Sequence, residues 1–477
     1  GSNISAGGSL IVYTGGIAHG VNQETGSALV ANTGAGTDIE GYNKLSHFTI
    51  TGGEANYVVL ENTGELTVVA KTSAKNTTID TGGKLIVQKE AKTDSTRLNN
   101  GGVLEVQDGG EAKHVEQQSG GALIASTTSG TLIEGTNSYG DAFYIRNSEA
   151  KNVVLENAGS LTVVTGSRAV DTIINANGKM DVYGKDVGTV LNSAGTQTIY
   201  ASATSDKANI KGGKQTVYGL ATEANIESGE QIVDGGSTEK THINGGTQTV
   251  QNYGKAINTD IVSGLQQIMA NGTAEGSIIN GGSQVVNEGG LAENSVLNDG
   301  GTLDVREKGS ATGIQQSSQG ALVATTRATR VTGTRADGVA FSIEQGAANN
   351  ILLANGGVLT VESDTSSDKT QVNMGGREIV KTKATATGTT LTGGEQIVEG
   401  VANETTINDG GIQTVSANGE AIKTKINEGG TLTVNDNGKA TDIVQNSGAA
   451  LQTSTANGIE ISGTHQYGTF SISGNLA

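Results

Sequence analysis

Thr405–Val415 reads TTINDGGIQTV, and its alternation decides the fold. Thr405 and Ile407 lie two residues apart and share a face, while Thr406 points the other way. Asn408-Asp409-Gly410-Gly411 is turn chemistry, because Asn and Asp tolerate left-handed geometry and Gly accepts positive φ without steric cost. Gln413 and Val415 then share a face, with Thr414 opposite. The next copy repeats the arrangement with Thr424, Ile426, Leu432 and Val434.

Working outward, the Gly-Gly-x-Gln/Leu-x-Val core of this stretch returns along the chain. Copies open at Gly82, Gly101, Gly212, Gly245, Gly281, Gly300, Gly393, Gly410 and Gly429. A fixed short period indicates a solenoid of stacked rungs, not a globular core. A rung of roughly 18 residues at roughly 3.3 Å each has a perimeter near about 60 Å. The expected fold is therefore all-β, a right-handed parallel β-helix with a narrow interior. It would have roughly 25 rungs spaced at roughly 4.8 Å, about 120 Å in all. Helical periodicity is absent, and Gly at this density disfavours helices.

The inward position after Gly-Gly falls into two classes. One is apolar: Leu66, Leu85, Leu104, Leu161, Met180, Leu303, Leu359 and Leu432. The other is Gln, at 197, 215, 231, 248, 266 and 284, then at 396 and 413. A lone buried Gln costs about 1–3 kcal/mol unless paired. Stacked Gln can bond amide to amide along the axis, so a glutamine ladder is expected. On that reading Gln248→Leu is tolerated better than Gln248→Ala.

All four Phe residues interrupt the short period at equivalent places: Phe48, Phe143, Phe341 and Phe470. Each follows a Gly-Ala-Leu-Val-like stretch, and the bulk of Phe requires the coil to widen or bend there. The expected organisation is one β-helical domain over residues 1–477. Irregular or bent rungs are expected in blocks near 26–70, 120–165, 319–362 and 447–477. Alternation of Phe341 with Ile343 points the ring inward as core filler.

Composition bounds the function. The chain has 477 residues with 73 Gly, no Pro, no Cys and no Trp, and a formal net charge of −18. That charge argues against nucleic acid and against anionic membrane surfaces. The absence of Cys removes disulfides and thiol chemistry. No apolar run approaches the ~18 residues of a membrane-spanning helix. No signal peptide is read in the sequence, and Gly1-Ser2 reads as an expression remnant. The five His (His19, His47, His114, His242 and His465) lack metal-site spacing; His242 is read as a surface residue. No nucleophile elbow, phosphate loop or calcium repeat is found. The expectation is no enzyme, no catalytic or metal residues, and no cofactor.

What remains is surface. Outward positions between Gln and Val are often Thr: Thr198, Thr216, Thr249, Thr414 and Thr433. Corner positions are often Asn: Asn244, Asn280, Asn298, Asn408 and Asn427. Stacking would align each set into a polar stripe. Many hydrogen bonds of about 0.5–1.5 kcal/mol each could then join two rods additively. Ordinary solvated turn and sheet residues would look the same.

The pattern Thr-x-Ile-Asn-x-Gly-Gly-x-Gln-x-Val resembles the passenger repeats of self-associating bacterial autotransporter adhesins. That group holds antigen 43, the adhesin involved in diffuse adherence and the TibA-type adhesins. Thr241–Ala256 and Thr405–Ala421 carry the pattern best, and Asn350–Val361 adds the longer block. The resemblance covers essentially the whole chain. It implies a passenger on the surface of a Gram-negative cell, outside the outer membrane or released from it. It implies export by a signal peptide and anchoring by a C-terminal β-barrel, neither of which is read in this stretch of sequence. It implies association with identical passengers on neighbouring cells, giving autoaggregation and biofilm, and heptosylation of Ser or Thr in some members. The alternative is a heterotypic adhesin for host matrix protein or glycan. A glycan-active β-helix enzyme and a passive stalk complete the readings.

Overall fold

The rung that contains the opening stretch has three strands, Val401–Asn403, Thr406–Ile407 and Ile412–Val415. Each runs parallel to its counterpart one turn on, with Ala402 against Ala421, Ile407 against Ile426, Gln413 against Leu432 and Val415 against Val434. The side chains of Ala402, Ile407, Gln413 and Val415 are fully buried, as period-two alternation requires. Burying each Ile or Val contributes about 1.5–3 kcal/mol. These three strand positions are called here the first, second and third faces of a rung. The computed structural model describes residues 1–477. The chain is all-β, without a helix, and coils as a parallel β-helix of about 24 turns.

Two compact units divide the chain. One comprises Gly1–Ile232 with Gly236–Thr238, the other Val233–Gly235 with Glu239–Ala477. The first repeats the same rung: Ser73–Lys75, Thr78–Ile79 and Lys84–Val87 stack on Lys92–Asp94, Arg97–Leu98 and Val103–Val106. Its first face is lined by small residues, Ala55, Ala74, Thr93 and Ala112 in register.

The corners explain the Gly-Gly pair. Gly410 has φ 76°, a conformation that costs Gly nothing. A Cβ on Gly411 would lie 2.7 Å from the carbonyl oxygen of Leu391 in the preceding rung, so only Gly fits there. The corner between the first and second faces carries the expected Gly in some rungs, at Gly188, Gly276 and Gly388, and a non-Gly residue in others. Glu404, Lys423, Asn76 and Ser95 turn it with φ of 55°, 58°, 56° and 61°. A buried hydroxyl follows each: Thr405, Thr424, Thr77 and Thr96.

The glutamines form ladders. In the first unit, Gln231 Nε2 donates to Gln215 Oε1 at 2.9 Å, and Gln215 Nε2 to Gln197 Oε1 at 2.9 Å. In the second, Gln284 Nε2 donates to Gln266 Oε1 at 2.7 Å and Gln266 Nε2 to Gln248 Oε1 at 2.9 Å. Gln413 Nε2 donates to Gln396 Oε1 at 2.8 Å. A directional ladder needs an acceptor at its first amide. That acceptor is a buried carboxylate, Asp186 Oδ2 at 2.7 Å from Gln197 Nε2 and Glu378 Oε1 at 2.8 Å from Gln396 Nε2. At the other end the last carbonyl needs a donor. Ser295 Oγ supplies it to Gln284 at 2.7 Å, and Thr424 Oγ1 to Gln413 at 2.8 Å. Replacing Gln266 by Leu should cost about 2 kcal/mol, because Gln284 Nε2 and Ser277 Oγ lose their acceptor. Gln266→Ala should cost about 2 kcal/mol more for the cavity. Denaturant titration of both variants checks the order.

Corner hydroxyls obey one rule. The hydroxyl in the rung after a Gln donates to that Gln, as Thr259 does to Gln248 at 3.2 Å and Ser277 to Gln266 at 2.8 Å. Where the preceding rung carries Leu66, Leu85, Leu161 or Leu359, the hydroxyls of Thr77, Thr96, Thr172 and Thr370 have no partner. A buried orphan hydroxyl is unfavourable. Thr96→Val, which replaces it by a methyl group, should therefore stabilise the first unit by about 1 kcal/mol. A lowered denaturant midpoint in Thr96→Val would contradict this.

The four Phe blocks are β-hairpins. Asp38–Tyr42 pairs antiparallel with His47–Thr51, Leu132–Thr136 with Ala142–Arg146, Arg330–Arg335 with Ala340–Glu344, and Glu460–His465 with Gly468–Ile472. The third face meanwhile runs on directly, Ala122–Ser126 against Ser160–Val163. Each Phe sits opposite a glycine, at Gly41, Gly135, Gly333 and Gly463. A Cβ on Gly333 would lie 2.5 Å from the Phe341 ring, so the bare backbone makes room for it. Phe48, Phe143 and Phe341 are buried, and Phe470 is half-buried.

Candidate association surface

The third face is the longest regular strand of a rung, and its outward side chains form the broadest repeated surface. Alternation sends positions one and three of each four-residue strand outward. In the first unit, position three reads Asp181, Thr198, Thr216 in successive rungs. In the second it reads Thr249, Gln267, Val285, Asp304, and later Ile379, Ile397, Thr414, Thr433, Gln452.

The expected threonine stripe is thus two adjacent pairs, Thr198–Thr216 and Thr414–Thr433, with Thr249 beside Gln267. It is not a continuous row, because Ile, Val and Asp stand at the intervening rungs. Thr198, Thr216, Thr414 and Thr433 are half-buried, and Thr249 is buried. Aliphatic β-branched side chains fit this pleated position as well as Thr does.

The corner asparagines lie at the end of the second face and bond along the axis. Asn298 Nδ2 donates to Asn280 Oδ1 at 2.7 Å, and Asn427 Nδ2 to Asn408 Oδ1 at 2.8 Å. Asn446 extends the second ladder to Asn427 at 2.8 Å. Asn244 is exposed and accepts from Ser263 Oγ at 3.4 Å. These amides tie rung to rung, which leaves only their remaining valences for a second molecule.

Charges flank the third face in opposite-sign pairs across adjacent rungs. Arg377 Nε lies 3.3 Å from Glu395, Lys381 Nζ 3.6 Å from Glu399, and Lys84 Nζ 3.8 Å from Glu105. Such exposed pairs add little stability. They do present both signs in one row, so a like-charged neighbour meets local complementarity at short range. Four of the five His place a ring nitrogen within hydrogen-bond distance of a carboxylate. His19 reaches Asp38 at 2.9 Å, His47 Glu40 at 3.1 Å, His114 Asp94 at 2.9 Å and His242 Asp260 at 3.0 Å. Hydrogen bonds from the Gly20 backbone and from His47 hold the Glu40 carboxyl below the usual range.

Sequence reasoning missed three features. Asp186 stands where the first face normally carries Ala, so nothing local marks it. Glu378 stands at the Gln position of GGREIV, a signal that was present. Tyr183, Tyr200 and Tyr218 recur just after the third-face strand of successive rungs, outside the motif.

A family profile described as "Adhesin of bacterial autotransporter system, probable stalk" matches residues 40–102, 134–195, 332–394 and 396–449. These segments cover just over half of the chain, and the first three each begin inside a hairpin block. Among solved structures, the TibC-catalyzed hyper-glycosylated TibA fragment is similar at 29% sequence identity. The match covers 65% of this chain and 98% of that one, with a TM-score of 0.35.

Proposed function

The chain belongs to the bacterial autotransporter adhesins, and we propose that it acts by self-association between identical passengers on neighbouring cells. Membership makes it a cell-surface, extracellular passenger with an adhesive role. The finer reading places it outside the outer membrane of a Gram-negative cell, where association yields autoaggregation and biofilm.

One observation carries the proposal. The third face repeats an outward row, Ile379, Ile397, Thr414 and Thr433, in strict register, with paired opposite charges alongside. A face that repeats every rung lets weak contacts add along the axis. Thr198 and Thr216 would serve in the same way, with the buried Thr249 supporting the row from beneath its neighbours. The asparagines Asn244, Asn280, Asn298, Asn408 and Asn427 would form a polar rim. The net charge of −18 opposes approach at long range, so screening near physiological salt favours encounter. Still higher salt weakens the local ion pairs. Heptosylation of exposed Ser or Thr belongs to the same proposal, and intact-mass measurement of cell-derived protein checks it.

Analytical ultracentrifugation across concentration at physiological salt tests the reading. Concentration-dependent dimers are expected. The double variant Thr414→Lys with Thr433→Lys should weaken them by about tenfold or more, equivalent to about 1.4 kcal/mol. A strict monomer would contradict homotypic association and favour a host matrix protein or glycan as the partner.

A further inference from the structure

Three tyrosines line one outer corner of the first unit. Val182 is in register with Ile199, and Ile199 with Val217, so Tyr183, Tyr200 and Tyr218 occupy the same place in successive rungs. The rings of Tyr183 and Tyr200 are stacked with centroids 4.2 Å apart and planes 6° from parallel. Tyr200 and Tyr218 are looser, at 6.3 Å and 29°. Tyr183 is 42% and Tyr218 43% exposed, so both ends of the row meet solvent. The Tyr200 hydroxyl between them donates to Asp181 Oδ1 at 3.1 Å.

We propose that Tyr183 and Tyr200 form a site of oxidative phenol coupling, taking a peroxide-class oxidant and yielding an inter-rung dityrosine. Stacking at 4.2 Å with nearly parallel planes sets the two ring faces against one another, the approach that carbon–carbon coupling of two phenoxyl radicals requires, and the coils hold that arrangement before oxidation begins. Each phenol loses one electron and its hydroxyl proton; Asp181 accepts the proton of Tyr200 and passes it to solvent. The two phenoxyl radicals join through one carbon–carbon bond between ortho positions. The two ortho hydrogens then move to the oxygens, restoring both phenols. Overall the pair loses two electrons and two protons, and one hydrogen peroxide takes them up to give two waters. The exposed edge of Tyr183 admits the oxidant, and the stacked partner captures the radical. The product bridges two rungs at the foot of the Gln197–Gln215–Gln231 ladder and should raise the thermal midpoint of the first unit.

The test treats the full chain, dilute and monomeric, with a haem peroxidase and hydrogen peroxide. Cross-linked peptides are then mapped by mass. The expected product is a Tyr183–Tyr200 link lacking two hydrogens, dominant in the monomer fraction. Tyr218→Phe should leave it intact, Tyr183→Phe should abolish it, and Asp181→Asn should slow it several-fold. Circular dichroism confirms that each variant is folded. Links distributed by exposure, through Tyr13, Tyr253 and Tyr467 at 79%, 80% and 87%, would overturn the proposal. Equal yield from Tyr200 and Tyr218 would also overturn it. An unchanged rate in Asp181→Asn would remove Asp181 as the proton acceptor.

Discussion

Replacing Glu378 by Leu is expected to destabilise the second unit by about 4 kcal/mol, although Leu is the residue that precedes it in the same column. Leu359 stands directly below Glu378 and Gln396 directly above, so the volume fits. The loss is one of acceptors. Glu378 is fully buried. It receives Ser367 Oγ at 3.0 Å, Thr389 Oγ1 at 2.8 Å and Gln396 Nε2 at 2.8 Å. Leu leaves all three donors buried without a partner, each costing about 1–3 kcal/mol, offset in part by the removal of a desolvated acid. Glu378→Gln should be within about 1 kcal/mol of the parent, because its amide oxygen still accepts from Gln396 and its amino group can donate to Ser367. Denaturant titration of the two variants decides the matter. Equal midpoints would mean that the ladder does not need an acceptor at its foot.

The second large effect is a pH dependence at the foot of the other ladder. Asp186 is fully buried. It accepts from Thr189 Oγ1, from Gln197 Nε2 at 2.7 Å and from Ser205 Oγ at 3.0 Å. Burial pushes its carboxyl up from 3.8 to about 6, against the opposing pull of those three donors. A carboxyl whose folded value is raised contributes stability that is fully present below its unfolded value near 3.8. That contribution is lost as pH rises through about 6. From pH 4 to pH 7 the loss is roughly 2 kcal/mol, since a little of it has already gone at pH 4. Asp186→Asn has no such titration. The difference in unfolding free energy between parent and Asp186→Asn should therefore move by roughly 2 kcal/mol over that interval, in favour of the variant at neutral pH. The comparison isolates Asp186 from Glu40, Asp80, Asp94 and Asp337, whose carboxyls are held below their usual range and act with the opposite sign. A difference that stays flat with pH would contradict the account.

Both effects bear on how much the sequence disclosed. The coil was legible because period-two alternation and Gly-Gly corners return many times along the chain, and the same alternation put the glutamines inside. The ends of the ladders were less legible. Hydrogen-bond direction demands an acceptor below the first amide, yet Asp186 comes from the first face, which only three dimensions bring beside Gln197. The corner hydroxyls were hidden for a similar reason, since Ser277 and Gln266 belong to different rungs. Alternation around Phe341 disclosed that the ring points inward. It does not distinguish parallel from antiparallel neighbours, so the hairpins emerged only from the pairing of Gly333 with Phe341. On the surface, Thr414 and Thr433 do stack, but Ile379 and Ile397 share their row, because an exposed pleat accepts any β-branched residue. The asparagines were grouped into a stripe by their corner position, which does not disclose that Asn427 donates to Asn408.

The most direct test of homotypic adhesion mixes two differently labelled cell populations, one displaying the passenger and one lacking it, at physiological salt. Self-association predicts aggregates built of displaying cells alone, with the others left in suspension, and loss of aggregation when Thr414→Lys and Thr433→Lys are displayed instead. Aggregates that recruit both populations equally, or displaying cells that stay dispersed, would contradict it.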